Sequence, residues 1–505
     1  MISKRRSAPL VIVSNRGPVE LHTDDAGRVV EHRGSGGLIG VLGPALASRR
    51  GVWVAAAMTA EDRTAAAERK AAGQLAVVEL DEGSVGLRLL DLNRQDYHGY
   101  YRRISNELLW FLHHQMFDLT REPIFDATIR ADWQAYRRIN AQFAESCADE
   151  LAPSGVALLQ DYHLSLAPRR LRELRPDARI AHSTMIPWAA ETHFRALPED
   201  FSKELLDGML GADMLTFLVP RWATAFVDCC AALGYQVDRA DATVTDRDGR
   251  LVKIRCFPVG VDAPYLCRRA NAPDTETHRL DLMRIVGNRQ LVVRIDRMEP
   301  SKNLLRGLDG FAELLSHDHS LHERVLHYVL AYSSREQLPA YRAYNQAVHD
   351  RVNTINEKFS TPTWKPILLE TRNDFARGLA ALTLADVLVV NALRDGMNLV
   401  AKEGPVVSRR DLVLVLSTEV GAADDLGNDA IMAHPFDVSA LANGIATGLD
   451  MPSAERSQRL FRLRKAAGAL PPHKWLTQVL AELDRTPEDN QVWQSLKPFE
   501  LSVAE

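Results

Sequence analysis

Cysteine is scarce and scattered: Cys147, Cys229, Cys230, Cys256 and Cys267 are the five in 505 residues. They form no CxxC pair and no metal-ligand spacing, so a disulfide framework or zinc site is not expected; reduced thiols in a cytoplasmic protein are the simplest account. Long apolar runs are missing as well. After the basic start Met1–Arg6 the apolar run is too short for a signal peptide and is broken by Asn15 and Arg16. No stretch is long enough to span a bilayer. Nor is there an excess of positive charge: the net charge of -5 gives no electrostatic case for nucleic acid or an anionic membrane as partner. Internal repeats, low-complexity tracts and coiled-coil heptads are also absent.

What is present reads as a globular α/β protein. Hydrophobic residues make up 46% and charged residues 25%, and the chain is too long for one core of usual size, so two or three domains are expected. The chain is organised around Arg394-Asp395-Gly396-Met397-Asn398-Leu399-Val400-Ala401-Lys402-Glu403. It follows an apolar run, Ala385–Leu393, that reads as a buried parallel strand, and it leads into helix-forming residues. Gly396 suits a loop where backbone approaches a ligand, and the amides after it would open a helix N-terminus, which binds anions. Asp395 sits at the carboxyl end of the strand, where open α/β sheets place ligands. The plainer reading is an ordinary strand-to-helix turn.

Earlier in the chain, Leu10–Ser14 reads as a first strand running into Asn15-Arg16-Gly17-Pro18. Gly34-Ser35-Gly36-Gly37 opens an apolar segment and is a plausible phosphate cradle, although a tight turn has the same signature. Aromatics crowd between Tyr97 and His114, as core or as the flat faces a sugar site needs. Val156–Gln160 is an apolar strand ending at Asp161-Tyr162-His163, where Asp161 reads as a ligand contact or as a helix N-cap. Asp246-Arg247-Asp248-Gly249 mimics a metal-binding DxD, but a solvent-exposed hairpin turn accounts for it better.

The α/β rhythm restarts with the strand Gln290–Ile295, and a loop carrying Arg297 and Lys302 follows. Those two cations suit a diphosphate grip, Arg for its bidentate geometry and Lys as a point charge; a charged surface turn is the alternative. Two successive βαβ halves, each with polar residues at strand ends, suggest two facing doubly wound sheets with a ligand between them. The boundaries drawn are an N-terminal Rossmann-like domain over 1–260, a C-terminal one over 261–480, and a tail, 481–505, packing back on the first.

From about Leu10 to about Trp475 the chain resembles the trehalose-6-phosphate synthases. The residues that carry this are Ser14-Asn15-Arg16, Ser35-Gly36-Gly37-Leu38, Tyr100-Tyr101, Ser105-Asn106 with Leu109-Trp110, Asp161-Tyr162-His163, Phe257-Pro258-Val259-Gly260, Arg297 with Ser301-Lys302, Ser334-Arg335, and Arg394 to Glu403. The resemblance implies a GT-B fold, two Rossmann-like parallel-sheet domains with the site in the cleft between them, and a retaining glycosyltransferase acting on a nucleotide-sugar donor and a sugar-phosphate acceptor. It also implies that the first domain binds the acceptor and the second the nucleotide sugar. It implies no metal and no other cofactor; a homo-oligomer is left open.

By the same resemblance Asp161, Arg297, Lys302 and Asp395 form the catalytic set. Gly36, Gly37, Arg297, Lys302, Asp395, Gly396, Met397, Asn398, Leu399, Val400, Glu403 and Met185 meet the donor, with Glu403 on its ribose. Arg16, Tyr101, Trp110, Asp161 and Arg335 receive the acceptor, the arginines on its phosphate.

One residue departs from the family pattern. Where the family has a His just before the Ile/Thr-Pro-Trp/Phe turn, contacting the donor sugar near its 6-hydroxyl, this chain has Met185. A thioether is a weak acceptor and no donor, and His182, three residues back on a strand, faces the other side. Three readings follow: transfer from UDP- or GDP-glucose to glucose 6-phosphate giving a 1,1-linked product; a relative that couples a modified sugar or cyclitol; or a catalytically silent sugar-phosphate-binding regulator, against which the retained Arg297, Lys302, Asp395 and Glu403 argue.

Overall fold

A computed structural model describes residues 7–24, 26–33, 46, 51–72, 74–80 and 83–485. The chain divides into two compact units, Met1–Pro258 with Pro472–Glu505, and Val259–Pro471. The boundaries drawn from sequence were 260/261 and 480/481. In the structure the helix Pro472–Asp484 belongs to the first unit, where Trp475 donates its indole N–H to the Phe257 carbonyl at 2.9 Å. Arg255 and Lys253 also bond to this helix, through the Glu482 carboxylate and carbonyl.

The first unit is built on strands β1 (Ala8–Val13), β4 (Val52–Ala56), β5 (Ala76–Leu80), β6 (Gly83–Leu90), β7 (Leu151–Gln160), β8 (Arg179–Thr184), β9 (Met214–Phe217), β10 (Val237–Asp238), β11 (Thr243–Thr245) and β12 (Leu251–Cys256). A separate antiparallel hairpin joins β2 (Val19–Thr23) and β3 (Val29–Arg33). The large sheet runs β10-β11-β12-β9-β8-β7-β1-β4-β6-β5. Its centre is parallel, with Val11 opposite both Val52 and Ala157, and antiparallel pairs occur only at its two ends. The central strands are covered on both faces, which is why Leu10–Val13 and Ala157–Leu159 read as unbroken apolar runs; nearly all of these residues are fully buried.

The second unit has one six-stranded, wholly parallel sheet in the order β15-β14-β13-β16-β17-β18. Its strands are β13 (Gln290–Met298), β14 (Val325–Ser333), β15 (Ile367–Glu370), β16 (Val387–Val390), β17 (Val413–Ser417) and β18 (Ile431–Ala433). In each sheet the chain starts in the middle, builds outwards on one side, then returns to build on the other. The turning points lie between β1 and β7 and between β13 and β16, and the crevice at the strand carboxyl ends there is where open α/β sheets bind ligands.

Two local expectations are corrected, at Arg297 and at Asp246, and one element was not anticipated. β13 runs on to Met298, so Arg297 lies in the strand and not on the loop after it. The aromatic-rich stretch forms a twelve-residue π-helix, His98–Leu109. Ser105 Oγ and Asn106 Nδ2 there bond the carbonyls of Tyr100 and Tyr101, each five residues back. The Asp246–Gly249 turn does join two antiparallel strands, but it is not solvent-exposed throughout. The Asp246 side chain is wholly buried, gripped by Arg169 at 3.2 Å, and its carboxylate accepts the amides of Asp248 and Arg250.

Candidate active site

In the second unit the carboxyl ends of β13 and β16 bring together residues far apart in sequence. Arg297 closes β13; a short 3₁₀ turn, Pro300–Lys302, then carries Lys302. Across the turning point, Asp395 is held by a backbone bridge to Val420 and by its amide on the Glu419 carbonyl. The Lys302 ammonium and the Asp395 carboxylate form a salt bridge, and Asn398 Nδ2 donates to the same carboxylate oxygen at 3.1 Å. Burial pulls the Lys302 ammonium down, but Asp395 and Asp296 outweigh burial and leave its pKa raised, so it stays charged.

A buried polar layer holds this arrangement from below. Arg294 is 1% exposed and bonds the Asp296 carboxylate, the Asn391 amide oxygen and the Lys302 carbonyl. Asn303, at a left-handed φ of 60°, donates to the carbonyls of Asn391 and Pro435. Strand ends and the Lys302 turn are thereby locked together, with the buried groups of the layer paired.

The loop after β16 is equally constrained. Asn398 has a φ of 70° and its side chain caps the amide of Ala401 at 3.3 Å. Gly421 must be glycine, since a Cβ there would lie 1.9 Å from the Gly396 carbonyl oxygen. This close approach sets the Gly396–Leu399 backbone ahead of the helix Val400–Val407, in whose first turn the Ala401 amide goes to the Asn398 side chain and those of Lys402 and Glu403 to the Leu399 carbonyl. Because that helix starts only at Val400, Glu403 falls in its first turn. Burial lifts the Glu403 carboxyl to about 7, and among the described residues neither a hydrogen bond nor a neighbouring charge offsets it. Such a group is poised to accept hydrogen bonds from a ligand.

Arg335 follows β14 at a φ of 50°, its guanidinium donating to the Tyr341 hydroxyl at 2.8 Å. Between Arg335 and Arg297 lies Glu299, which the sequence reading did not single out. The one signal for it was an acid placed in sequence between two cations, Arg297 and Lys302.

In the first unit the turning point gathers a second group. Ser14 Oγ donates to the Arg16 carbonyl at 2.6 Å, and Asn15 exchanges hydrogen bonds with the Tyr97 hydroxyl. Arg16 itself is mostly exposed, beside Glu20 at 3.7 Å. Tyr101 lies in a parallel stack, 5.4 Å from Tyr97 and 5.7 Å from His163. Trp110 is nearly buried, its ring 3.9 Å from His114 and 5.8 Å from Tyr162. Asn106 ties these parts together: Nδ2 holds the Tyr101 carbonyl at 2.7 Å and Oδ1 accepts from the Tyr162 hydroxyl at 3.0 Å.

Asp161 has a φ of 69°, and its carboxylate accepts the amide of Tyr162 at 3.1 Å and that of Met185 at 3.3 Å. It is therefore the cap of the turn that follows, and it also fixes the backbone at Met185. His182 is fully buried; its Nε2 faces the Asp161 carbonyl at 3.2 Å, and burial lowers its pKa to about 4.

The structure thus gathers Arg16, Tyr101, Trp110, Asp161 and Met185 in the first unit. It gathers Arg297, Lys302, Arg335, Asp395, Gly396, Met397, Asn398, Leu399, Val400 and Glu403 in the second. Gly36 and Gly37 lie outside the described residues. Among the described residues no cluster of three or more His, Cys, Asp or Glu is placed to hold a metal, and no helix is long and apolar enough to cross a membrane.

Glycosyltransferase family 20 matches residues 8–485. Trehalose-6-phosphate synthase of Mycobacterium sp. (strain JLS) is 31% identical over 488 residues, 94% of this chain and 96% of that protein. The protein of the same name from Mycobacterium tuberculosis is 30% identical over 485 residues, 94% of each chain. Among solved structures, trehalose-6-phosphate from E. coli bound with UDP-2-fluoro glucose superposes with a TM-score of 0.81 at 26% identity, covering 94% of this chain and 99% of that one. An alpha,alpha-trehalose-phosphate synthase (UDP-forming) from Burkholderia xenovorans in complex with glucose-6-phosphate gives 0.80 at 27% identity, covering 94% and 100%.

Proposed function

Because the chain belongs to glycosyltransferase family 20, we propose that it transfers glucose from a nucleoside diphosphate glucose to glucose 6-phosphate, keeping the anomeric configuration and forming a 1,1-linked disaccharide phosphate. The observation that carries the reading is the largely shielded Lys302–Asp395 ion pair at the turning point of the second sheet, with Arg297 at the end of strand β13. Two relatives' structures, one with UDP-2-fluoro glucose and one with glucose-6-phosphate, supply the substrate classes.

In this reading Lys302, Arg297 and the amides from Gly396 to Val400 hold the donor diphosphate and take up the charge that grows on it as the glycosidic bond breaks. The Gly36-Gly37 backbone assists at the same phosphates. Glu403 accepts from the ribose hydroxyls, and Asp395 orients the donor sugar. Arg16 and Arg335 hold the acceptor phosphate, while Tyr101 and Trp110 flank its ring and Asp161 meets its hydroxyls. The acceptor oxygen attacks on the face the diphosphate leaves, and the departing phosphate oxygen takes the acceptor's proton, so no protein nucleophile is needed. The nucleotide sugar is consumed as a substrate, and neither a metal nor another cofactor enters the scheme.

Met185 favours a second reading in which the donor is altered around the carbon that bears the 6-hydroxyl, as in a modified sugar or cyclitol. A thioether cannot give that hydroxyl the hydrogen bond an imidazole would.

The test is a panel of UDP-, GDP- and ADP-glucose with glucose 6-phosphate, read as nucleoside diphosphate release. Release with one base names the donor. Stabilisation by a nucleoside diphosphate without turnover turns attention to the altered donor. No stabilisation by any nucleotide overturns both.

A further inference from the structure

Glu299 is the most enclosed carboxylate of the second unit's site: its side chain has 0% exposure. One oxygen, Oε1, takes the Arg297 guanidinium at 2.8 Å and the Ser334 hydroxyl at 2.7 Å. The other, Oε2, is buried and makes no hydrogen bond among the described residues. The main chain adds links of its own: the Glu299 amide donates to the Arg297 carbonyl at 2.8 Å, and the Glu299 carbonyl accepts from the Lys302 amide at 3.0 Å. Ser334 directly precedes Arg335, and the register of β13 on β14 sets Met298 beside Ser333, so Glu299 faces Ser334 across the strand ends.

A buried carboxylate is costly unless compensated. Here burial would raise its pKa, but Arg297, Arg335 and Lys302 outweigh burial and bring it down to about 2, so it is ionised. Burial and repulsion by Arg335 meanwhile loosen Arg297's hold on its proton, and the facing Glu299 carboxylate leads the groups that more than offset this, leaving the Arg297 pKa raised. Two like charges kept close, with one carboxylate between them, need that carboxylate to stay where they are. Stability alone does not explain it, because a buried ion pair is weak evidence for stability.

We infer that Glu299 is a positioning residue that sets Arg297 and the Ser334–Arg335 corner against one another, so that the donor-diphosphate grip and the acceptor-phosphate grip are aligned by a single buried side chain. This rests on the roles given to Arg297 and Arg335 under the proposed function. Through Oε1 it aims the Arg297 fork; through Ser334 it fixes the start of the left-handed turn at Arg335. Loss of its charge lets the two cations move apart and disturbs both grips together.

The experiment uses the full chain and three variants, E299Q, S334A and the double variant. Titration calorimetry gives affinities for UDP, GDP and glucose 6-phosphate, and thermal unfolding gives Tm. E299Q is expected to weaken both the preferred nucleoside diphosphate and glucose 6-phosphate by about tenfold or more, with a KM rise for both substrates. S334A, which leaves the Arg297 bond in place, weakens glucose 6-phosphate several-fold and leaves the nucleotide unchanged; it carries the test if E299Q does not fold. The double variant binds glucose 6-phosphate no worse than E299Q alone, a non-additivity that general destabilisation does not produce. A folded E299Q with either affinity unchanged, or S334A with unchanged glucose 6-phosphate affinity, overturns the inference while the functional reading stands. A wild-type chain that binds neither nucleotide nor sugar phosphate overturns both.

Discussion

The amide of Met185 donates to the carboxylate of Asp161 at 3.3 Å, so the backbone at residue 185 is fixed by a bond that does not involve its side chain. Exchanging the side chain is therefore a clean operation. M185H is expected to raise kcat/KM for the accepted glucose donor by about tenfold, the worth of one good hydrogen bond to a sugar hydroxyl, with Tm nearly unchanged. Steady-state kinetics with the nucleotide glucose checks it. A variant no faster than the parent sinks the idea that the thioether limits glucose transfer.

The salt bridge between Lys302 and Asp395 joins side chains that are only 12% and 17% exposed. K302M takes away the ammonium that faces the Asp395 carboxylate, a loss that the Asn398 amide and the Arg297 charge only partly offset. It is expected to cost about 3 kcal/mol of unfolding free energy, the low end for a broken buried pair, and to lower kcat/KM by about a hundredfold or more through the loss of diphosphate stabilisation. Urea unfolding read beside nucleoside diphosphate release separates the two effects. D395N should be milder in stability, because Asn can still accept from the ammonium.

Much of this architecture was legible in advance for a specific reason. Leu10–Val13, Ala157–Leu159 and Val387–Val390 are buried on both faces, so they declare themselves as apolar runs without alternation. Asp395 and Lys302 stood out singly as polar residues just past such runs. Their meeting, across 93 residues, depends on β16 lying beside β13, which no local pattern encodes. In the sequence Asp246 reads as part of a surface turn because its partner Arg169 sits on a helix 77 residues away. The π-helix left no periodic trace either: its wide turns are capped by Ser105 and Asn106, whose bonds to carbonyls five residues back do not appear in a hydrophobic pattern.

Asn106 is 1% exposed and is the only described side chain that bonds both the Tyr101 carbonyl and the Tyr162 hydroxyl. N106A removes both bonds at once, and each buried hydrogen bond lost costs about 1–3 kcal/mol. The expected result is a stability loss of about 2–4 kcal/mol and a several-fold rise in KM for glucose 6-phosphate, since Tyr101 and the Asp161–Tyr162 turn lose their common anchor. The KM for the nucleotide donor should hardly move. Equal changes in both KM values would argue that Asn106 acts only through overall stability.

Glu403 makes stability and binding depend on pH in opposite senses. Burial raises its folded pKa to about 7 from an ordinary value of 4.5. Between those values the folded chain binds the proton that the unfolded chain has released, so the contribution is fully present below pH 4.5 and is lost as pH rises through about 7. E403Q, which cannot ionise, should match the parent near pH 5 and exceed it by about 2–3 kcal/mol near pH 8. Denaturant unfolding at the two pH values measures this. Ribose hydroxyls donate best to the charged carboxylate, so in the parent the nucleoside diphosphate should bind more tightly as pH rises from 6 to 8. The same titration with E403Q isolates that component from the ionisation of the phosphates. Identical pH profiles for the two proteins would mean that Glu403 does not titrate in this range or does not meet the nucleotide.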